Sequence, residues 1–456
     1  MKNSAIFIFS IVLVMVSCRK TEDVNEDTFD ERLSGGQQTV FDETSGAFGH
    51  GFPMMYGNNA WAHGMGDAAF NASFVTAPAL VNGGLGPLYN AVSCVRCHVN
   101  DGKGKPPLDG AEIESLLIRL SMPGTDAHGM PLSVPNFGNQ LQNRAIQGHL
   151  SEAKVNIIYN FINGSYNDGV SYSLANPSYN ITSTYYSLPG NYLFSPRIAQ
   201  SLHGLGLLEA VSEHTILEYA DPSDVNTDGI SGRPNYVYDV IKKANVLGRF
   251  GWKCNQPNLK QQTAAAYNGD MGVTNSLFPE ENSFGQIQND NINDDHEISD
   301  SILDLVTFYV RSLGVPARRN TTNESVLKGK KLFKAVGCES CHRETIRTGT
   351  NMAFKEVSNQ VLHPYTDMLL HDMGDALSDN RPDGLANGKE WRTAPLWGLG
   401  LQKRVNGHTF LLHDGRARNI EESILWHGGE GENSKNKFKS LNQQERQQLL
   451  DFLNDL

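Results

Sequence analysis

The tightest constraint on this chain is a pentapeptide pattern that occurs twice, Cys94-Val95-Arg96-Cys97-His98 and Cys338-Glu339-Ser340-Cys341-His342. Cys-x-x-Cys-His is the spacing that attaches a c-type haem. Two residues between the thiols let both reach the vinyl groups of one porphyrin, and the histidine that follows is held against the iron as proximal ligand. Other chemistries use paired cysteines. A zinc ribbon brings its pairs within a few tens of residues, whereas Cys94 and Cys338 are 244 positions apart. A thioredoxin-like redox pair does not need the histidine, and it would have to arise here twice. Cys254 fits no such pattern and reads as a buried free thiol.

The 456 residues suffice for two or three domains. Asp and Glu outnumber Lys and Arg by 50 to 38, a net charge of −12. A surface that acidic repels phosphate backbones, so no nucleic-acid partner is expected. Lys2 precedes an almost wholly apolar run from Ala5 to Val16. That run is too short to span a bilayer and suits the hydrophobic region of a secretory signal. It ends Met15-Val16-Ser17-Cys18, which resembles a bacterial lipobox with Cys18 as the lipidated residue; an ordinary signal peptide cut nearby is the alternative. The polar residues from Arg19 onward read as a flexible tether. These features predict an exported lipoprotein of the bacterial cell envelope, touching the membrane only through its anchor, with its folded part in the periplasm or at the cell surface. Covalent haem attachment, completed outside the cytoplasm, agrees.

Leu332, Phe333 and Val336 recur at helical spacing and stop at Gly337, just before Cys338. This resembles the first helix of a class I cytochrome c. Ser440 and Gln443 form a capping-box pattern ahead of a stripe of Leu449, Leu450 and Leu453, which predicts a closing helix. Residues 299–313 have the same character. The segment Arg197-Ile198-Ala199 through Gly204-Leu205-Gly206 echoes Arg392-Thr393-Ala394 through Gly398-Leu399-Gly400. The expected fold is therefore mainly α: two cytochrome c-like haem domains arranged as an internal repeat, the first enlarged by long loops. The boundaries read as a signal at 1–17, a tether at 18–40, an N-terminal haem domain at 41–318 and a C-terminal one at 319–456.

These motifs, with Gly229-Ile230-Ser231-Gly232-Arg233, His363-Pro364-Tyr365-Thr366-Asp367 through Met373-Gly374, and His413-Asp414-Gly415-Arg416 through His427, resemble the di-haem oxidoreductase family, related to bacterial di-haem cytochrome c peroxidases. The resemblance implies an enzyme in which the C-terminal haem takes electrons from a small redox donor or cytochrome, while the N-terminal haem reduces peroxide or oxidises a partner protein. It places His427, fourteen residues beyond His413, as second axial ligand to the haem of His342, with Met373 the alternative. For the haem of His98, the residues His128, Met130, His149, His203 and Met271 are open alternatives as sixth ligand. If none binds, Glu209 and Gln200 are the expected acid–base and positioning groups, and Arg197 is expected to balance a haem propionate or cap a loop. Trp252 and Trp397 are expected aromatic stepping points between the irons. Asp224, Asn226 and Asp228, followed by Gly229, resemble the start of a calcium loop, although its twelfth position is Asn235 in place of glutamate. Calcium is thus an optional second cofactor. A carrier with both irons six-coordinate, and a protein that handles iron or haem at the envelope, are the rival functions.

Overall fold

The computed structural model describes residues 30–108, 110–290, 292 and 296–456. The signal, Cys18 and the tether as far as residue 29 lie outside the described residues. Among the described residues, no helix is long and apolar enough to cross a membrane.

Two helix crossings frame the haem motifs. Helix α1 (Gly57–Asn71) precedes the first motif and packs on α3 (Asp300–Arg311); α4 (Glu324–Ala335) precedes the second and packs on α6 (Gln443–Asp455). Each crossing has a glycine at its contact. A Cβ at Gly66 would overlap the Leu305 carbonyl of α3, and one at Gly329 would overlap the Gln448 carbonyl of α6. The helices approach backbone to backbone because no side chain keeps them apart. The stop before Cys338 is as expected, with Gly337 at φ +92°. The capping box of α6 lies two residues beyond its expected place: Asn442 accepts from the Glu445 amide, and the Glu445 carboxylate accepts from the Asn442 amide. Ser440 instead ends the preceding helix, Glu432–Ser440.

The expectation of a mainly α fold is wrong. The described residues are 29% helix and 20% strand, with many small sheets, and the repeat of two cytochrome-like units is not confirmed. The discrepancy comes mostly from the region read as loops. Strand β1 (Leu116–Thr125) pairs antiparallel with β4 (Leu193–Ile198), and between them β2 (Lys154–Ser165) and β3 (Ser171–Thr182) form a twelve-residue hairpin. Its turn is closed by the Tyr166 amide on the Val170 carbonyl, with Gly169 at φ +86°. The Asn, Tyr and Ser content that suggested loops is the polar face of these strands. Val155 and Leu174 turn inward, whereas Ile158, Phe161 and Ile162 remain exposed.

The period-2 geometry of the β1/β4 pair positions chemistry. Leu116, Ile118 and Leu120 point into one core. Leu117 and Arg119 take the opposite face beside Arg197, which is the cross-strand partner of Leu117. Helix α2 (Leu259–Met271) starts at Asn258, whose side chain accepts from the Gln261 amide, and ends at Gly272 in the left-handed conformation. Helix α5 (Ile420–Trp426) is capped by Asn419, whose side chain accepts from the Glu422 amide.

Candidate functional site

Each Cys-x-x-Cys-His motif opens onto its own cavity. The first, about 220 Å³, is lined by Cys94, Cys97 and His98, by Leu117, Arg119 and Arg197 of the β1/β4 face, and by one side of α2. The second, about 190 Å³, is lined by Cys338, Cys341, His342, His371, Met373, His413 and His427. All four motif cysteines are free of disulfides, and burial pushes the Cys94 and Cys338 thiols up to about 12.

The motif histidines are set in one way. His98 Nδ1 lies 2.8 Å from the Gln200 carbonyl oxygen, and His342 Nδ1 lies 2.9 Å from that of Tyr365. A carbonyl only accepts, so each Nδ1 carries the proton and each Nε2 keeps its lone pair. Burial depresses both imidazoles to about 4, so they stay neutral and fit to ligate. His427 has the same arrangement, its Nδ1 donating to the Ser423 carbonyl at 2.7 Å. It lines the cavity of His342 and is close enough to help keep His342 neutral. Met373, the alternative ligand, lines this cavity too.

The other sequence candidates are scattered. Of the five alternatives for the first iron, Met271 lines that cavity. His128 stacks on Tyr238, and His203 lines a separate third cavity. Gln200 lines the first cavity, but its carbonyl is the group that orients His98. Arg197 lines it as well and pairs with Asp383 at 2.8 Å. Glu209 does not line it. Its carboxylate is held by Arg311 at 2.5 Å and by the Leu259 amide at 2.8 Å, which makes it a brace between α2 and α3. Cys254 is a buried free thiol donating to the Met368 carbonyl.

In the Asp224–Gly229 loop, the side-chain oxygens of Asp224, Asn226 and Asp228 accept from the amides of Gly229, Asp228 and Ile230 respectively. Asn235 is buried, and its amide group is spent on Lys253, Asp383 and Leu385. It therefore supplies no ligand to that loop.

Sequence reasoning missed the polar groups that the first cavity does contain. Leu259, Gln262, Thr263, Ala266 and Asp270 fall on one side of α2 and face it. Asp270 accepts from Gln140 at 2.8 Å, and burial raises its carboxyl. The spacing of these five residues is helical, and that was the available signal; their small and polar character hid it among residues read as loop.

Trp252 borders the first, second and third cavities. Its indole N–H donates to the Ile198 carbonyl at 2.9 Å. Trp397 borders the third. His413 stacks on Trp391 with centroids 3.9 Å apart.

The family model described as "Di-haem oxidoreductase, putative peroxidase" matches residues 29–456. The chain belongs to this di-haem oxidoreductase family. No curated protein matches it. Two solved structures were found: a hydrazine synthase of Kuenenia stuttgartiensis pressurised with xenon, 20% identical over 36% of this chain (TM-score 0.25), and a MauG-like protein associated with microbial copper homeostasis, 14% identical over 56% of this chain (TM-score 0.26). The match spans 57% of the hydrazine synthase chain and 89% of the MauG-like one. The residues of this di-haem oxidoreductase fit the cofactor its family implies. There are two cavities, each with a histidine whose Nε2 is available, and buried cationic side chains on their walls keep nitrogen atoms without partners.

Proposed function

We propose that this oxidoreductase carries both haems covalently, through thioethers at Cys94 and Cys97 and at Cys338 and Cys341, and uses the two unequally. The observation that carries this reading is an asymmetry between the cavities. A second imidazole with an available Nε2, that of His427, lines the cavity of His342. The cavity of His98 offers instead a buried carboxyl at Asp270 and the carboxamides of Gln256 and Gln262, whose Oε1 atoms have no partner. Haem, when bound, supplies one-electron chemistry, tuned by its axial ligands. Two imidazoles suit the C-terminal site to electron transfer. At the N-terminal site peroxide takes up two electrons and two protons to give water. Asp270 holds and delivers a proton there, and the two glutamines orient the oxygen atoms. Trp252 lies where electrons pass between the sites. The protein acts outside the cytoplasm, anchored at Cys18 and supplied by a small donor or cytochrome.

The test is a haemochrome assay with intact-mass measurement, followed by electron paramagnetic resonance of the oxidised protein. Two added haem masses, one low-spin and one high-spin signal, and loss of the high-spin signal on adding peroxide are expected. A protein of bare polypeptide mass would end the covalent reading. The rival carrier function is favoured by one observation, the presence of Met271 on the wall of the first cavity. Two low-spin signals indifferent to peroxide would select it.

A further inference from the structure

Buried positive charge gathers on the walls between the cavities. Arg392 is 5% exposed and lines the second and third cavities. Its Nε donates to the Gly251 carbonyl at 2.9 Å, while Nη1 has no partner. Lys103 lines the same two cavities, and its ammonium makes no ion pair with a described residue. Burial and the neighbouring Arg392 push it down to about 8. Among the described residues, no carboxylate lines the third cavity. Asp367 is near Arg392 but is held by His371 at 2.8 Å. On the other side, Arg197 is 7% exposed and lines the first cavity, paired with Asp383 at 2.8 Å and with Nη2 3.9 Å from Asp379; beside it, Arg119 gives Nη1 to Gln140 and keeps Nε without a hydrogen bond. Buried guanidinium N–H groups without acceptors are costly. Arg392 and Arg119 each face a cavity with such a group, next to a second cation in Lys103 and Arg197 respectively, so an acceptor that arrives with the occupant fits both walls. A guanidinium prefers carboxylate, which it can bind with two parallel hydrogen bonds.

We infer that Arg392 with Lys103, and Arg197 with Arg119, are two separate carboxylate anchors, one for the propionate arms of the haem in each cavity. The inference rests on haem occupying both cavities, as proposed above. It extends the propionate role expected of Arg197 to Arg392, Lys103 and Arg119, the last two of which no sequence motif marked. It also gives Lys103, whose Nζ lies 5.8 Å from the ring centroid of Trp252, a neutralising counter-charge next to that indole.

The experiment compares haem-loaded wild-type protein with Arg392→Gln, Lys103→Gln, Arg119→Gln and the charge-keeping Arg392→Lys. The readouts are the midpoint potential of each haem, by spectroelectrochemistry, and the propionate bending modes, by resonance Raman. Losing a cation beside a haem favours its oxidised form. Arg392→Gln and Lys103→Gln should therefore lower the midpoint of the C-terminal haem and shift its bending mode, leaving the other haem unchanged; Arg119→Gln should do the reverse. Arg392→Lys should restore most of the midpoint. Lys103→Gln, at a partly buried site, keeps the test available should Arg392→Gln not fold. Unchanged midpoints and bending modes in haem-loaded variants would overturn the inference. So would wild-type spectra that titrate with added acetate, since the anchors would then serve a free carboxylate. A chain that takes up no haem fails the proposed function instead, and the haemochrome assay tells the two outcomes apart.

Discussion

His427 donates its Nδ1 proton to the carbonyl oxygen of Ser423, one helical turn earlier, at 2.7 Å. That bond fixes the tautomer and ring orientation at the end of α5, in the same way that Tyr365 fixes His342. If both imidazoles bind one iron, His427→Ala should convert the C-terminal haem from low to high spin while haem content stays at two. Magnetic circular dichroism in the near infrared distinguishes the bis-imidazole pair from an imidazole–thioether one. A low-spin spectrum retained with a new thioether signature would transfer the role to Met373.

Asp270 is the carboxyl on the wall of the first cavity, and burial raises it above the ordinary carboxylate range. Asp270→Asn should lower the rate of peroxide reduction by about 10²–10⁴-fold. The reduction potentials and haem stoichiometry should hardly move. Glu209→Gln should act differently, weakening the Arg311 brace and lowering the melting temperature with little change in rate per folded molecule.

The pH dependence of stability has a stated sign at Asp101. Its carboxylate accepts from Tyr309 at 2.6 Å, yet burial raises it to about 6 from the ordinary 3.8. A carboxyl raised on folding contributes stability that is fully present below about pH 4 and is lost as the pH climbs through 6. The loss is on the order of 3 kcal/mol at most, at 1.36 kcal/mol per pK unit. Asp101→Asn keeps an acceptor for Tyr309 and should flatten that part of the curve. Urea titrations between pH 4 and 7 would reveal it, and an unchanged slope would remove the assignment.

Gly329→Ala tests the α4–α6 crossing. On an isolated helix the change gains about 1 kcal/mol of propensity. Here the new methyl meets the Gln448 carbonyl and the Phe452 Cβ, so the variant should instead lose about 1–3 kcal/mol. A denaturation midpoint at or above wild type would show that the helices can part freely.

The two Cys-x-x-Cys-His pentapeptides and the glycine stop before Cys338 were legible in the sequence, because each depends on local spacing. It misled where side-chain chemistry was read without a partner in space. The polar alternation of residues 154–182 looked like loop until the strands paired. Glu209 was read without the partner the fold gives it, Arg311, about a hundred positions away. Lys103 and Arg119 gave no signal at all, since nothing local marks a cation whose counter-charge belongs to a cofactor.

Trp252 has one further consequence. An indole flanked by two porphyrins would pass its excitation energy to either of them and stay dark. In a protein where the remaining tryptophans are replaced by phenylalanine, emission from this one side chain would report how completely the polypeptide has been loaded, and brightening would announce a molecule that left the maturation machinery half filled.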